Sequence, residues 1–225
     1  AVDWDEGIFI DSDRKAMSPP YDWGLSAMFR DLNGDGWPDL YVCNDFQSPD
    51  RVWINDGTGS FRPIRESAIR QTSLFSMGLD VADINRDGHF DLFVADMLSP
   101  EHLDRHVQVM DGMAFAQYRS TATPRPQSPR NTLLLNQGDG DFSEIARLAG
   151  IDASYWSWCP VFLDVDLDGY EDLLVTTGHG RDAQNADISR EVDHLIKSKS
   201  LSPIKQLSIL ERFPLLQPPN VAFRN

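Results

Sequence analysis

The strongest constraint on how this 225-residue chain folds is an acidic string that occurs three times. It reads DLNGDGWPDL from Asp31, DINRDGHFDL from Asp83 and DVDLDGYEDL from Asp164, which is the pattern D-x-[DN]-x-D-G-x-x-D-L. A second signature, N-x-G-x-G-x-F, begins at Asn55 and at Asn136, each 28 positions before the next acidic string. Repetition at a fixed spacing indicates an architecture built from similar structural units.

Short apolar segments between these signatures predict four strands in each repeat. The first strands are LSAMF, LDVA and PVFL, the third are RVWI and TLLL, and the fourth are SFRPI and DFSEI; the second strand follows the acidic string. A unit of four antiparallel strands and about fifty residues has the size of a propeller blade. The sequence therefore predicts an all-β fold, a partial β-propeller of about three four-stranded antiparallel blades with helical insertions in two of them.

The repeats divide the chain into parts of one partial propeller domain that spans 1–225. The parts are the last strand of a preceding blade at 1–15, a blade at 16–68, a blade with an insertion at 98–129 within 69–150, and an incomplete blade with a helical insertion at 179–218 within 151–225. A propeller needs at least four blades. We expect the remaining blades to come from a longer parent chain or, as the second possibility, from another subunit.

Both insertions lie between the second and third strands of a repeat and therefore on one rim. The first contains SPEHLDRHVQVM, which predicts a short helix, and then the proline-rich TATPRPQSP, which predicts an extended segment. In the second, Ile188, Val192, Leu195 and Ile196 have helical spacing, and Ser202-Pro203 is typical of the start of another helix. We expect these helices to pack on the rim, with partner binding as the alternative.

The acidic string has the chemistry of a cation site. Oxygen ligands at positions 1, 3 and 5 with glycine at position 6 are the pattern of calcium-binding loops. The predicted side-chain ligands are Asp31, Asn33, Asp35 and Asp39; Asp83, Asn85, Asp87 and Asp91; and Asp164, Asp166, Asp168 and Asp172. Trp37, His89 and Tyr170, at position 7, are predicted to contribute only a backbone carbonyl. The sequence thus predicts about three Ca²⁺ sites, and Mg²⁺ fits less well because it retains waters in a stricter octahedron.

These loops differ from an EF-hand, which needs a glutamate at position 12 and a following helix. Position 12 is Val42, Val94 and Val175, each inside a predicted strand. We therefore expect the aspartate at position 9 to close each loop between two β-strands.

Composition excludes several classes of protein. The net charge of −15 and the lack of a lysine or arginine cluster argue against nucleic-acid binding. No apolar run approaches the roughly 18–20 residues of a membrane span. Cys43 and Cys159 align with small residues of the other repeats, on strands two blades apart, so we expect no disulfide between them.

The sequence contains no common catalytic motif. It lacks G-x-S-x-G, H-E-x-x-H and a phosphate-binding glycine loop, so we expect no catalytic function. His102 and His106 have the i, i+4 spacing of a metal pair but are more typical of a solvated surface. His179 and Asp182 follow a second strand, where a loop hydrogen bond is the expected role of the histidine.

The three acidic loops, the N-x-G-x-G-x-F turns and phrases such as SMGLDVADINRDGHFDLFVADM resemble the FG-GAP, VCBS and integrin-alpha-type repeats, including bacterial cartilage-acidic-protein-like members. The resemblance covers nearly the whole chain and implies a β-propeller with calcium in the hairpin between the first two strands of a blade. It also implies an extracellular, cell-surface or periplasmic recognition or adhesion module. In integrin-like members, partners dock opposite the calcium loops, which here implies a protein or glycan ligand on the insertion-bearing face. The alternative is a fragment of a calcium-dependent propeller enzyme such as a polysaccharide lyase.

Overall fold

The computed structural model describes residues 2–3, 8–10, 16–17, 22–46, 48–108, 125–198, 209 and 211–225. The described part is mostly β and contains several antiparallel sheets, none of which is closed. Its strands are β1 (Val2–Asp3), β2 (Ile8–Ile10), β3 (Ala16–Met17), β4 (Gly24–Arg30), β5 (Asp39–Asn44), β6 (Arg51–Asn55), β7 (Phe61–Pro63), β8 (Thr72–Ser73), β9 (Gly78–Ala82), β10 (Asp91–Ala95), β11 (Gln127–Ser128), β12 (Thr132–Asn136), β13 (Phe142–Glu144), β14 (Ser157–Leu163), β15 (Asp172–Thr177) and β16 (Val221–Phe223). Its helices are α1 (His102–Val107), α2 (Ala146–Ala149) and α3 (Ala186–Ser198).

Three sheets correspond to the three repeats. Sheet 1 has the order β4-β5-β6-β7, sheet 2 has β9-β10-β12-β13 and sheet 3 has β14-β15-β16. All pairs within them are antiparallel. The predicted all-β class and strand positions are thus confirmed, whereas the number of blades in the complete assembly stays a prediction.

The N-terminal segment differs in detail from the prediction. The single strand expected within 1–15 corresponds to β2, but β2 pairs with β1 through Phe9 and Val2 and with β3 through Phe9 and Met17. These neighbours form a separate three-stranded sheet. Strands of two residues are too short to leave an alternating pattern in the sequence, which is why the periodicity did not indicate them.

Two helices lie between the second and third strands of sheets 2 and 3, while the bounds of the two insertions stay a prediction. Helix α1 stands between β10 and β12, and α3 stands between β15 and β16. The end of the first insertion returns as β11, which pairs in parallel with β8 just before sheet 2 begins. Most of the helix predicted from Ser202-Pro203 and the first four residues of TATPRPQSP, 121–124, lie outside the described residues. No helix in the described ranges is long and apolar enough to cross a membrane.

Sheet 2 is packed on both faces. Leu92 and Val94 of β10 belong to one apolar cluster with residues of sheet 1, whereas Phe93 and Ala95 belong to a second cluster with residues of sheet 3. Successive side chains of a strand point to opposite faces, so one strand serves both interfaces. All five residues of β10 are consequently buried. The three sheets therefore stack face to face, and the acidic loops lie at corresponding ends of them.

The two cysteines are free, as expected from their positions. Cys43 is buried in β5 and Cys159 is exposed in β14.

One buried acid makes stability depend on pH. Asp50 is 2% exposed and accepts hydrogen bonds from the Tyr41 hydroxyl at 2.7 Å and the Asn44 backbone N–H at 2.8 Å. Burial nevertheless raises the pKa of Asp50 from 3.8 to about 7. Between these values the folded chain holds a proton that the unfolded chain has released, so the stabilisation is complete below about pH 4 and is lost as the pH rises through about 7.

We expect the free energy of unfolding, measured with urea at saturating calcium, to fall between pH 5 and pH 8. The slope from one such group is at most about 1.4 kcal/mol per pH unit. Asp50→Asn keeps the shape of the side chain without the titration and should reduce the slope. Asp45 and Asp96, whose pKa values burial raises to about 6, contribute with the same sign. A slope in Asp50→Asn as steep as in the wild type would contradict this assignment.

Candidate metal-binding loops

The three acidic strings form loops that join the first and second strands of sheets 1, 2 and 3. Their glycines at position 6 have φ values of 88° at Gly36, 88° at Gly88 and 95° at Gly169. Residues with a Cβ rarely adopt this left-handed conformation, whereas glycine adopts it readily. The glycine of the pattern is thus explained by the sharp bend that brings the loop back toward its first residue.

The aspartate at position 1 organises each loop. Its carboxylate accepts hydrogen bonds from the backbone N–H groups of positions 5 and 6, at 3.1 and 2.8 Å for Asp31, 3.0 and 2.9 Å for Asp83, and 3.1 and 2.9 Å for Asp164. The same two bonds recur in every loop. The three loops therefore share one backbone frame, and the sequence repeat is also a geometric repeat.

The aspartate at position 9 ties each loop to the N-x-G-x-G turn. One oxygen accepts the N–H of position 2, at 2.9 Å in Asp39, 3.1 Å in Asp91 and 3.1 Å in Asp172. The other oxygen accepts the backbone N–H of the first residue of that turn, which is Asn55 at 2.8 Å and Asn136 at 2.8 Å. In the third loop it accepts the backbone N–H of Asn225 at 2.9 Å, so Asn225 occupies the equivalent place. The sequence marked Asn55 and Asn136 only as repeat signatures, and these hydrogen bonds explain why the asparagine recurs.

Position 5 makes a further bond that repeats in every loop. Asp35, Asp87 and Asp168 each accept the backbone N–H of position 7 at 2.9 Å. A hydrogen bond from the Asn85 side chain, followed by that N–H, lowers the pKa of Asp87. In Asp168 the N–H of Tyr170 is the main cause of a lowered pKa. The carboxylates of Asp87 and Asp168 are therefore held in the charged form, which is the form that binds a cation.

The structure brings three predicted ligands into one cluster. Asp164, Asp166 and Asp172 each present an oxygen within 4.8 Å of the other two. In the first two loops, asparagine occupies position 3, so the corresponding group has only two carboxylates. The Arg224 guanidinium also reaches the third loop, at 2.7 Å from Asp166 and 3.3 Å from Asp168. It supplies positive charge from within the chain at the site with the most carboxylates.

Burial opposes ionisation at position 9. Asp39 and Asp91 are 0% exposed, and burial raises the pKa of Asp39 and raises that of Asp91 to about 6. The neighbouring carboxylates at positions 1 and 5 add to this rise. The two backbone N–H groups that donate to each carboxylate do not fully offset the free-energy cost of burying its charge. All predicted side-chain ligands are Asp or Asn oxygens, and such a hard-oxygen set around buried negative charge fits Ca²⁺.

The side chains at position 7 make packing contacts in addition to the predicted contribution of their backbone carbonyls. A Cβ added at Gly57 would lie 2.6 Å from Trp37 Nε1, and one added at Gly138 would lie 2.5 Å from His89 Nε2. The ring thus lies directly against the first glycine of the turn in sheets 1 and 2. In the third loop, the Tyr170 ring instead lies under the Arg86 guanidinium, 5.0 Å from its centroid. The sequence predicted only a carbonyl contribution from these residues.

The turn asparagines also connect adjacent sheets. The Asn136 Nδ2 group donates to the carbonyl of Leu32 in the first loop at 2.9 Å, and to that of Phe90 in its own loop at 3.1 Å. The Asn225 Nδ2 group donates to the carbonyl of Ile84 in the second loop at 2.8 Å. Leu32 and Ile84 both occupy position 2. We call this repeated hydrogen bond, from an asparagine of one sheet to the acidic loop of the preceding sheet, the asparagine clasp.

The histidines singled out in the sequence lie outside these loops. His179 Nδ1 lies 2.5 Å from the Arg181 carbonyl, and its ring stacks on Trp156 with centroids 4.1 Å apart, in agreement with the expected loop role. His102 and His106 have their Nε2 atoms 3.0 Å apart on α1. Within the described ranges, no third histidine, cysteine or carboxylate joins them as a cluster.

A family model for the FG-GAP-like repeat matches residues 6–94 and 121–175, well over half of the chain. The matched ranges include all three acidic loops completely. The search of curated proteins found no match. On the family match, supported by the recurrent loops and antiparallel sheets, the chain belongs to the FG-GAP-like repeat family.

Proposed function

We propose that this chain is a non-catalytic, calcium-stabilised module for recognition, adhesion or scaffolding, and that it forms part of a larger β-propeller. The observation that carries the proposal is the identical hydrogen-bond frame of the three acidic loops, in which the aspartates at positions 1 and 9 are fixed in the same way. The family resemblance supports an extracellular, cell-surface or periplasmic location.

The ions would be held by the residues at positions 1, 3, 5 and 9, with the carbonyl of position 7. Ten of these residues are aspartates. Three bound Ca²⁺ ions would supply six positive charges and reduce the net charge from −15 to −9. The aspartates at position 9 then hold both the loop and the turn while charged, so the ions would make the ends of neighbouring sheets rigid.

Recognition would occur at the other end of the sheets. Both insertions leave from the ends of second strands, β10 and β15, whereas the acidic loops precede those strands. The insertion-bearing rim therefore lies away from the proposed ions. This separation supports a division of roles in which the loops stabilise the fold and the rim contacts a protein or glycan ligand.

Calcium titration of the intact chain by calorimetry tests the proposal. We expect about three binding sites, and we expect Asp166→Ala to remove one of them because Asp166 belongs to the three-carboxylate cluster. Asp187→Ala is the matched control, since Asp187 is an exposed aspartate of α3 paired with Arg190. Absence of calcium binding, or equal loss in the two variants, would contradict the proposal.

A further inference from the structure

Three arginines of one surface region lack an ion pair in this acidic chain. Seven of the fourteen described arginines are ion paired, such as Arg51 with Asp22 at 2.7 Å. By contrast, Arg62, Arg70 and Arg125 form no ion pair with any residue in the described ranges. With 35 acidic and 20 basic residues, the chain has ample carboxylate to pair them.

These three arginines lie along two adjoining cavities at the outer edge of sheets 1 and 2. The larger cavity, of about 720 Å³, is lined by Arg65, Glu66, Ser67, Arg70, Arg125 and Pro126. The smaller, of about 320 Å³, has Arg62, Ile64 and Arg65 on one side and the turn 138–140 of sheet 2 on the other. It also borders Leu32 and Asn33 of the first acidic loop. Arg65 lines both cavities and pairs with Asp141 at 2.9 Å. We call the four guanidinium groups and the two cavities the arginine groove.

Arg125 is the least satisfied member of the arginine groove. Its Nε atom is buried without a hydrogen-bond partner, and Nη1 makes one long bond of 3.4 Å to the Asp50 carbonyl. Burial lowers the pKa of this guanidinium. A partly desolvated cation with so few acceptors gains from an added anion, because the cost of its desolvation is already present in the free protein.

We infer that the arginine groove binds a short acidic oligosaccharide that carries carboxylate or sulfate groups. The guanidinium fork matches the planar or tetrahedral oxygens of such groups and binds them in a bidentate manner. Ile64 and Pro126 offer apolar contact for the C–H faces of sugar rings. A short ligand is favoured because the net negative charge of the protein repels long polyanions.

The position of the groove links it to recognition. Arg125 and Pro126 come directly before β11, at the end of the first insertion. The larger cavity thus reaches the end of an insertion that the proposed function assigns to ligand binding, whereas the smaller cavity borders the first acidic loop. The inference deepens that proposal and rests on it.

Binding of a sulfated, uronate-containing disaccharide to the calcium-saturated chain tests the inference. Calorimetry at about 0.15 M salt would use the neutral disaccharide and triglutamate as comparison ligands. The variant Arg62→Gln/Arg70→Gln removes two cations that have no ion pair to lose. The matched control Arg147→Gln/Arg190→Gln removes two exposed arginines elsewhere, which pair with Asp152 at 3.6 Å and with Asp187 at 3.2 Å.

We expect the groove variant to bind the acidic disaccharide at least about tenfold more weakly than the wild type, the loss typical of one charge-assisted bond. The control should change affinity by less than about twofold, and the neutral sugar should not bind. Equal loss in both variants, no binding by the wild type, or tighter binding of triglutamate would overturn the inference. Thermal midpoints of the same samples with and without calcium separate the two proposals. If calcium leaves the midpoint unchanged but the acidic disaccharide still binds, only the calcium-stabilised role is contradicted.

Discussion

Removal of calcium with excess chelator is expected to lower the thermal midpoint of this protein by roughly 15–30 °C. A ligand that binds only the folded state at about a hundred times its Kd adds about 2.7 kcal/mol, so three independent sites add about 8 kcal/mol. In a chain of this size, 1 kcal/mol corresponds to about 2–4 °C. The physical cause is the set of buried aspartates at position 9, whose charge then has no compensating cation.

Single-site variants measure how much each loop contributes to the calcium-dependent shift of the thermal midpoint. Asp35→Ala, Asp87→Ala and Asp168→Ala each remove the position 5 ligand of one loop, and each should lower the midpoint in calcium by at least about a third of the total. In chelator the variants should differ little from the wild type, because the lost side chain no longer has an ion to bind. Calorimetric melting curves that are unchanged by chelator would reject calcium as a source of stability here.

The substitution Phe93→Ala is expected to lower the free energy of unfolding by about 3–5 kcal/mol, the usual cost of truncating a fully buried phenylalanine. Phe93 is 0% exposed and contacts Phe162 of sheet 3 edge to face, with ring centroids 6.4 Å apart. The variant removes the ring that joins sheets 2 and 3 and leaves a cavity between them.

Urea unfolding at saturating calcium measures this loss. Leu148→Ala is the control, since Leu148 is 86% exposed on α2 and its truncation should cost less than about 0.5 kcal/mol. A loss below about 1 kcal/mol in Phe93→Ala would mean that sheets 2 and 3 do not share the core described above.

The sequence predicted the strands and the loops well because both depend on local patterns. Short apolar runs after the acidic string mark β10 and β15 as strands, and the glycine at position 6 determines where each loop bends. These signals lie within about ten residues of the feature they specify. The prediction of α3 succeeded for the same reason, because its apolar positions recur with a helical period.

Other features depend on contacts distant in sequence, and no local pattern reveals them. The bond from Asn136 to Leu32 spans 104 positions, and the contact of His89 with Gly138 depends on how the hairpins fold together. The unpaired arginines of the groove come from 62–70 and from 125, which only the pairing of β8 with β11 brings near each other. Helix α2 was also missed, because four residues ending at a left-handed Gly150 are too few to show a period.

The asparagine clasp has a consequence for the order in which ions would enter the chain. A cation that stiffens the first loop also fixes the carbonyl that Asn136 holds, and Asn136 holds the second loop through Asp91 and Phe90. Calcium bound at one site would then raise the affinity of the neighbouring site for calcium. By linkage, calcium bound at the neighbouring site would raise the affinity of the first site by the same factor. The middle loop has asparagine clasps to both neighbouring sheets. Coupling between nearest neighbours would therefore raise the calcium affinity of the middle site more than that of either outer site.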